Sequence, residues 1–426
     1  MKNKGFLISI LFIILVGGCG IFALSYANSE DVLIESNADT SQEASLISES
    51  ASEVEEIRGV WFCYNEWKSI FQGTDEDTFR ARANQVLDNI QSINCNALFI
   101  QVRAFGDAMY PSSYYPWSKY CAGEVGQSPD YDPLRIITEL GKEKGVQIHA
   151  WINPLRIMDD DDFAKVSDQY LIKQWYNSPN RSDYFMKDSN GRYILIPTNP
   201  EVRKLICDGI AELMNNYDLA GIHIDDYFYP SGIDTLQEND IPYYQKQNPG
   251  VEIGQWRRNG TSSLVREIYQ TVKSINPNAM FGVSPQANLT NDYDKMFIDV
   301  PQWIQEGYVD YMMPQIYFGF ENTALPFNSC AQTWNDLDTN PNVSLYAGLA
   351  AYKIGLESDA HAGAGEKEWY NVAQGSNDML KRQIECIHTM SNYDGFCLYS
   401  YGSLFLPDGT RNPITTKEVD NLLELF

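Results

Sequence analysis

The residues best suited to chemistry lie in one run, residues 221–230, whose sequence is GIHIDDYFYP. Its apolar residues alternate with His223 and Asp225, a pattern typical of a strand that ends in a polar site. The run then places two carboxyl groups, Asp225 and Asp226, directly before three aromatic residues. Paired carboxyl groups act as the acid and the base or nucleophile of glycoside hydrolysis, and flat aromatic rings can pack on sugar faces. The alternative is a helix cap or a turn held by the two aspartates.

Eight strand-like segments alternate with helical patterns from residue 57 onward, and these elements must position the two aspartates. The predicted strands are Gly59–Cys63, Ala97–Val102, Val146–Ile152, Gly221–Asp225, Met280–Ser284, Val309–Gln315, Val343–Leu349 and Gly395–Ser400. The predicted helices include Thr78–Ile93, Pro133–Lys144, Glu201–Tyr217, Ser262–Ile275 and Asp378–Ser391. Several strands are nearly continuous apolar runs, as expected for parallel strands buried on both faces. The repeats predict an α/β fold, a (β/α)8 (TIM) barrel with long loops. The rival, an open doubly wound sheet, usually has a glycine-rich phosphate loop after its first strand, and this sequence has none.

Polar and aromatic residues gather after the predicted carboxyl ends of the strands, whereas the amino ends are mostly Gly, Val or Ala. The carboxyl ends form the catalytic face of such a barrel. The candidate catalytic residues at this face are Asp225, Asp226, Glu66 and Asp107. The candidate substrate-binding residues are Arg103, His149, Trp151, Asn153, His223, Tyr227, Gln286, Gln315, Tyr317, Tyr352 and Tyr399.

Asp225 is the first choice among the carboxyl groups. It shares a strand face with His223, and a nearby imidazolium would favour the charged carboxylate. Asp226 points the opposite way along a regular strand, so it enters the site only where the strand bends at its end, and otherwise it braces the loop. Glu66 and Asp107 are the other acidic residues close behind strand ends. The identity of the second catalytic carboxyl therefore stays open.

The other candidates each have a chemical and a structural interpretation. Arg103 and His149 either bind a carboxylate or hydroxyl of the substrate or brace Asp225. His223 taken alone is more often an inner-barrel residue than a proton carrier. The amides of Asn153 and Gln315 lie where they could bind sugar hydroxyls. The aromatic candidates either stack on sugar rings or fill the barrel mouth: Trp151, Tyr227, Tyr317 and Tyr399.

Six short motifs lie between about residues 55 and 405. They are Arg58–Trp61 (RGVW), Tyr131–Leu134 (YDPL), His149–Pro154 (HAWINP), Asn199–Arg203 (NPEVR), Asp225–Pro230 (DDYFYP) and Asp310–Tyr317 (DYMMPQIY). In this order they resemble the bacterial glycosyl-hydrolase-like family 10, whose members are secreted or lipid-anchored (β/α)8 proteins. The resemblance implies a retaining or inverting glycoside hydrolase. It also implies a substrate in bacterial cell-wall glycan, including peptidoglycan strands stripped of their peptides.

The first 27 residues are predicted to be a targeting segment that is not part of the fold. Two lysines precede an apolar run at residues 6–16, as in a signal peptide. Residues 16–19 (VGGC) resemble a lipobox, in which Cys19 would be lipidated, and residues 25–27 (SYA) suit an ordinary signal peptidase. The apolar stretch is also nearly long enough to remain as a membrane anchor. A lipoprotein is favoured, and all three alternatives place the protein outside the cytoplasm.

Residues 28–56 are predicted to be a disordered linker, because they contain nine Asp or Glu and no Lys, Arg or aromatic residue. The barrel then occupies residues 57–426. The net charge of −26 argues against nucleic acid or any other polyanion as a partner. The 27 Tyr and 9 Trp suit a protein that handles carbohydrate or peptide. We expect contact with a membrane only through the amino-terminal segment, and we expect no cofactor.

Neither a disulfide framework nor a metal site is predicted. Seven cysteines follow Cys19 at scattered positions without a C-x-x-C motif, so we expect them to be small buried residues. A bridge between Cys63 and Cys397 is an open alternative, since they would lie on the first and last strands. The acidic run Asp159–Asp162 favours a solvated loop over a calcium site. It begins a long segment, Asp159–Ile196, that is predicted to form a wall of the cleft.

Three classes of function are consistent with the sequence. The leading hypothesis is a glycoside hydrolase of the cell envelope. A glycan-binding barrel without catalytic activity is the alternative, because the second acid is not identified. A metal-dependent polysaccharide deacetylase is less favoured, because the four histidines are widely separated and include no H-x-x-x-H motif.

Overall fold

The computed structural model describes residues 56–426. The predicted targeting segment with Cys19, and all of the predicted linker except Glu56, lie outside the described residues. Within residues 56–426, no helix combines the length and the apolar character needed to cross a membrane.

Eight parallel strands close into a barrel, which confirms the predicted (β/α)8 fold. The strands of the described part are β1 Ile57–Phe62, β2 Ala97–Arg103, β3 Gln147–Ile152, β4 Phe185–Lys187, β5 Tyr193–Leu195, β6 Gly221–Ile224, β7 Met280–Val283, β8 Tyr311–Met312, β9 Ser344–Leu349 and β10 Tyr393–Leu398. Around the barrel the order is β1-β10-β9-β8-β7-β6-β3-β2, while β4 and β5 form a separate antiparallel pair. Each predicted strand overlaps an observed one. The largest difference is β8, where two residues form regular ladder pairs instead of the seven predicted.

Helices follow the strands and cover the outside of the barrel. Their bounds are α1 Tyr64–Glu66, α2 Glu76–Ser92, α3 Lys119–Ala122, α4 Pro133–Lys144, α5 Asp160–Phe163, α6 Leu171–Asn177, α7 Pro200–Asn216, α8 Ile241–Gln247, α9 Ile253–Ile275, α10 Leu289–Asn291, α11 Val300–Gln305, α12 Phe327–Leu337, α13 Glu368–Gln374, α14 Met379–His388, α15 Tyr401–Leu404 and α16 Thr416–Leu422. Helix α4 illustrates the end signals by which these helices can be predicted from the sequence. Asp132 caps its first turn, a proline opens it, and Gly145 ends it with a φ of 70°.

The barrel interior is filled by large side chains, which form the floor beneath the carboxyl ends of the strands. The buried inner cluster consists of Ile57, Trp61, Cys63, Ala97, Phe99, Trp151, Tyr311, Met313, Tyr346 and Cys397. Packing is tight at Gly282, where an added Cβ would lie 2.1 Å from the ring of Tyr311. The interior is therefore a packed core rather than a channel, as expected for this fold.

Within residues 56–426 the cysteines form no disulfide, and the acidic run caps a helix and forms ion pairs. The seven cysteines of the described part are free. Cys397 pairs in register with Gly59 of β1, whereas Cys63 lies four residues farther along the chain, just beyond β1, and no bridge joins the two cysteines. In the acidic run, Asp159 caps α5, Asp160 pairs with a lysine and Asp162 pairs with another. Within residues 56–426, no group of three or more His, Cys, Asp or Glu is arranged to hold a metal ion.

Candidate active site

Asp225 and Asp226 both line one cavity at the carboxyl end of the barrel. Strand β6 ends at Ile224, so the regular alternation of side chains stops before the first aspartate. The bend that Asp226 needs in order to enter the site is therefore present. The cavity has a volume of about 260 Å³ and is lined by Trp61, Trp151, Asp225, Asp226, Tyr227, Ser284, Gln315, Tyr317, Tyr352 and Tyr399.

Asp225 is buried and is surrounded by N–H donors. The indole Nε1 of Trp151 donates to Oδ2 at 3.1 Å, and the amide nitrogen of Asn153 lies 2.6 Å from both carboxylate oxygens. The backbone N–H of Tyr227 adds a third donor at 3.2 Å. Trp151 lies at the end of β3 and Asn153 just beyond it, directly beside β6 in the barrel. These donors fix the carboxyl group of Asp225 in position.

The orientation of the Asn153 amide is itself determined by a neighbouring strand. The side-chain amide of Gln101 on β2 donates to Oδ1 of Asn153. The backbone N–H of Tyr64 donates to Oε1 of Gln101 at 2.9 Å, which directs the Gln101 amide nitrogen toward Asn153. Asn153 must then present its own nitrogen to Asp225. The loop after β1 is thus connected through two buried amides to the candidate catalytic group.

Asp226 is half-buried and is held by two glutamine amides. Gln286 donates to Oδ2 at 3.2 Å and Gln315 donates to Oδ1 at 3.1 Å. The two glutamines form a parallel bridge beyond the ends of β7 and β8. Gln315 also donates to the backbone carbonyl of Ser284 at 3.0 Å, which fixes its amide. Asp226 therefore takes its hydrogen bonds from different strands than Asp225 does.

The electrostatic environment raises the pKa of both carboxyl groups. Burial, and then the neighbouring charge of Asp226, raise the pKa of Asp225 to about 7, while Arg156 and the amide of Asn153 act in the opposite direction. Burial likewise raises the pKa of Asp226, against the hydrogen bonds from its two glutamines. Because two close carboxylates repel each other, the pair retains a proton more readily than a single aspartate does.

His223 does not supply the positive charge that the sequence suggested. The indole N–H of Trp61 donates to Nε2 of His223 at 3.1 Å, and Nδ1 lies 3.0 Å from the hydroxyl of Tyr311. An indole N–H can only donate, so Nε2 is unprotonated and the imidazole is neutral. Burial agrees with this, since it lowers the pKa of His223 well below its usual range. The cation that acts on Asp225 is Arg156, which follows β3.

His149 and Arg103 lie away from the cavities at Asp226. His149 is buried against the ring of Phe99, with centroids 4.4 Å apart, and its nitrogens have no hydrogen-bond partner among residues 56–426. Burial lowers its pKa to about 3, so it is neutral. The guanidinium of Arg103 lies over the ring of Tyr115 at 4.3 Å, next to Gly209 of α7. Arg103 thus faces the surrounding helices instead of the site, since the register of β2 shifts after Gln101.

Glu66 and Asp107 also lie outside the cavities at Asp226, and their oxygens are occupied by other parts of the protein. Glu66 accepts hydrogen bonds from the backbone of Cys63 and of Gly402, and from the hydroxyl of Ser400. It thereby connects the ends of β1 and β10. Asp107 accepts from the backbone N–H groups of its own loop at residues 104 and 105. The structure therefore places both carboxyl groups as braces of loops.

Two further cavities meet the first at Asp226, so that the three form a groove. One, of about 340 Å³, is lined mainly by the turn between β4 and β5 and by the segment after β6. The other, of about 400 Å³, is lined mainly by the segments that follow β7, β8 and β9. These two cavities lie on opposite sides of β6 around the barrel. The long segment after β3 thus contributes one wall of the groove, as its sequence predicted.

Aromatic rings are exposed along this groove. Tyr227 is 51% exposed and Tyr352 is 46% exposed, although both are large side chains in a folded barrel. Tyr317 and Tyr399 lie beside Tyr352, with ring centroids 5.7 and 5.8 Å from it. Such exposed faces are available for stacking on sugar rings.

Several residues near the site escaped the sequence predictions, among them Trp61, Arg156 and Asp292. Trp61 was part of a motif but was not predicted to line the cavity. Arg156 lies two residues beyond the HAWINP motif and was not among the candidate site residues. Asp292 is buried near Asp226. Burial, and then the charge of Asp226, raise its pKa to about 8, while the backbone of Gln286 acts in the opposite direction. Asp292 begins a one-turn π-helix, Asp292–Met296, after β7, and a turn this short gives no periodic signal in the sequence.

The fold and this groove define a glycoside-hydrolase-like (β/α)8 barrel. The family model described as glycosyl hydrolase-like 10 matches residues 56–364. The chain belongs to this family.

Named relatives agree with this assignment, and a solved structure shares the fold. The chain is 31% identical to glycosyl hydrolase YngK of Bacillus subtilis, over 85% of this chain and 70% of the relative. It is 29% identical to glycosyl hydrolase DigH of Escherichia coli K12, over 80% of this chain and 82% of the relative. The PgaB (BpsB) glycoside hydrolase domain of Bordetella bronchiseptica shares the fold with a TM-score of 0.55 and 12% identity, over 86% of this chain and 99% of that domain.

Proposed function

We propose that this protein is an extracytoplasmic glycoside hydrolase that cleaves bacterial cell-wall glycan, including peptidoglycan strands without stem peptides. The observation that carries the proposal is the pair Asp225 and Asp226, which share one aromatic-lined cavity but have different hydrogen-bond partners. Two carboxyl groups with distinct environments are what acid and base roles in glycoside hydrolysis require. Family membership and the names of its relatives support the same reaction class.

The proposed division of roles follows from the electrostatics. Asp226 is the ionised carboxylate, and its charge helps Asp225 to keep a proton near neutral pH. Asp225 donates this proton to the glycosidic oxygen while the bond from that oxygen to the anomeric carbon breaks. Asp226 stabilises the positive charge at the anomeric carbon, either by attacking it or by taking a proton from an attacking water. Water supplies the hydroxyl of the new reducing end, and the proton it loses restores the pair.

The groove supports cleavage within a chain. Asp226 lines all three cavities, and the two outer cavities lie on opposite sides of β6. A glycan that occupies both outer cavities would pass over the carboxyl pair, with Tyr227 and Tyr352 against its sugar faces. We therefore propose internal cleavage rather than removal of terminal sugars.

The location outside the cytoplasm is proposed from sequence alone. Residues 1–27 have the lysines and the apolar run of a signal peptide, and Cys19 follows a lipobox-like sequence. A lipid-anchored protein with a long acidic linker could reach the cell-wall glycan, which agrees with the proposed substrate. Mass spectrometry of the mature amino terminus from cells would identify the lipidated cysteine or the cleavage site.

Incubation of the purified full-length protein with peptide-free glycan strands, followed by mass spectrometry of the products, tests the proposal. We expect shortened strands, and we expect Asp225→Asn and Asp226→Asn to abolish them. Asp218→Asn is the matched control, because this exposed aspartate pairs with Lys142 away from the groove. Strands that are bound but not shortened would indicate a binding protein without activity. Loss of acetyl groups without chain cleavage would indicate a deacetylase.

A further inference from the structure

Two arginines flank a single aromatic ring at one end of the groove. The guanidinium carbon of Arg156 lies 4.5 Å from the ring centroid of Phe105, and that of Arg192 lies 4.9 Å from the same centroid. Arg156 also lies 4.0 Å from the ring of Tyr227. Both arginines line the cavity of about 340 Å³ that Asp226 shares. They come from separate parts of the long segment between β3 and α7.

Neither guanidinium has a hydrogen-bond or ion-pair partner within residues 56–426. This is unusual in a chain with 57 Asp and Glu against 31 Lys and Arg. Asp188 lines the same cavity, but its Oδ1 accepts the backbone N–H groups of Asn190 and Arg192 and so closes its own turn. Arg156 acts on the two catalytic aspartates through space, without an ion-pair contact. Both arginines are half-buried, so solvent or a ligand can reach them.

Stacking prepares these side chains for an anion. A guanidinium that lies over an aromatic ring keeps its in-plane N–H groups free, and those groups fit the two oxygens of a carboxylate. The ring also restricts the side chain before binding, which lowers the entropy cost of the contact. Two close cations repel each other, and an anion between them removes this repulsion. The arrangement therefore suits a ligand with a negative charge and disfavours a neutral one.

We infer that Arg156 and Arg192 form a subsite for a carboxylate carried by a sugar of the bound glycan, next to the position where Asp226 acts. The inference rests on the proposed function, because the subsite belongs to the same groove. The carboxylate could be that of the lactyl group on a peptide-free muramic residue, or the acid group of a uronic sugar. In the first case an attached stem peptide converts the carboxylate to a neutral amide, so the subsite would select strands without peptides.

The test is calorimetric binding to full-length protein that carries Asp225→Asn, which prevents cleavage. The probes are peptide-free glycan strands, the same strands with carboxylates converted to methyl amides, oligogalacturonate, and its methyl ester. We expect neutralisation of the favoured probe to weaken binding on the order of tenfold, the effect of one charge-assisted contact. Adding Arg192→Gln should remove most of this difference. We substitute Arg192 rather than Arg156 because the charge of Arg156 also affects the pKa of Asp225.

Arg266→Gln is the matched control, since this exposed arginine on α9 lies 5.9 Å from the ring of Tyr308 and lines none of the three cavities. It changes the net charge equally and should keep the preference for charged probes. Equal binding of charged and neutral probes, no binding of any probe, or an unchanged preference in Arg192→Gln would overturn the subsite. If the protein without the Asp225 substitution cleaves the strands in these cases, the proposed function stands. Charge-dependent binding that Arg192→Gln removes, without cleavage of any strand, would support the subsite and contradict the proposed hydrolysis.

Discussion

The hydrogen bond from Asn153 to Asp225 makes the proposed proton transfer testable through its pH dependence. The Asn153 nitrogen lies 2.6 Å from both oxygens of the carboxyl group and is buried with it. Such a donor favours the ionised form, so Asn153→Ala should raise the pKa of Asp225. A hydrogen bond to a charged group contributes about 1.5–3 kcal/mol, and one pH unit corresponds to about 1.36 kcal/mol. Because water will replace part of the lost contact, we expect a rise of about one pH unit.

The assay is kcat/KM for peptide-free strands across the pH range, measured by release of reducing ends. The proton on Asp225 is needed for reaction, so activity falls on the alkaline side as Asp225 ionises. Asn153→Ala should move this alkaline limb to higher pH. Gln286→Ala is the counterpart, because Gln286 donates to Asp226. Loss of that donor should raise the pKa of Asp226 and move the acid limb to higher pH, which narrows the profile.

The two variants separate the possible errors in this reasoning. If Asn153→Ala moves the acid limb and Gln286→Ala the alkaline limb, the roles of the two aspartates are reversed. If neither limb moves while both proteins remain folded, the aspartate pair does not control the reaction. A lower rate without any change in the profile would therefore refute the proposed mechanism.

Three further predictions concern residues around the site. Asp292 should make the fold less stable as the pH rises from 3.8, its ordinary pKa, to about 8, because burial favours its protonated form. The melting temperature of Asp292→Asn, relative to that of the wild type, should therefore increase over this pH range. A constant difference between the two melting temperatures would contradict this. Glu66→Gln should lower the free energy of unfolding, measured with denaturant, by about 1–3 kcal/mol, because an amide cannot accept all the hydrogen bonds that the carboxylate accepts. The rate of cleavage by the folded variant should stay within the same order of magnitude. A large loss of turnover without loss of stability would make Glu66 catalytic. Gly282→Ala should lower the free energy of unfolding by about 1–3 kcal/mol or more, because the added methyl group would clash with Tyr311. An unchanged melting temperature would contradict the tight packing of the barrel interior.

The sequence predicted the barrel because its strands are short apolar runs and its helices carry clear end signals. Topology then accounts for much of the site. Residues just beyond the carboxyl ends of the strands gather at one end of the barrel, which is why Asn153, Asp225 and Gln315 come together although they are far apart in sequence. The alternation of side chains along the strand also predicts that Asp226 enters the site only if the strand bends at its end. Strand β6 ends at Ile224, before either aspartate, so this condition is met.

The remaining features depend on interactions that no local pattern encodes. Arg103 and Gln101 should share a face by alternation, but a register shift in β2 turns Arg103 toward α7. The neutral state of His223 follows from enclosure by Trp61 and Tyr311, which come from distant strands. Arg192 lies in the turn between β4 and β5, and Asp292 begins a one-turn π-helix. The positions of both residues in space depend on the packing of whole loops.

The choice of neutral donors around the aspartate pair is consistent with proton transfer. A cation in direct contact with Asp225 would lower its pKa and leave it ionised near neutral pH. Instead, an indole and an amide fix its position, while Arg156 remains outside ion-pair distance and is stacked on Tyr227. Burial and the charge of Asp226 then outweigh these donors and raise the pKa of Asp225. A buried histidine that stayed charged would have upset this balance, and the indole N–H of Trp61 keeps His223 neutral. The site thus holds Asp225 rigidly without removing its ability to carry a proton.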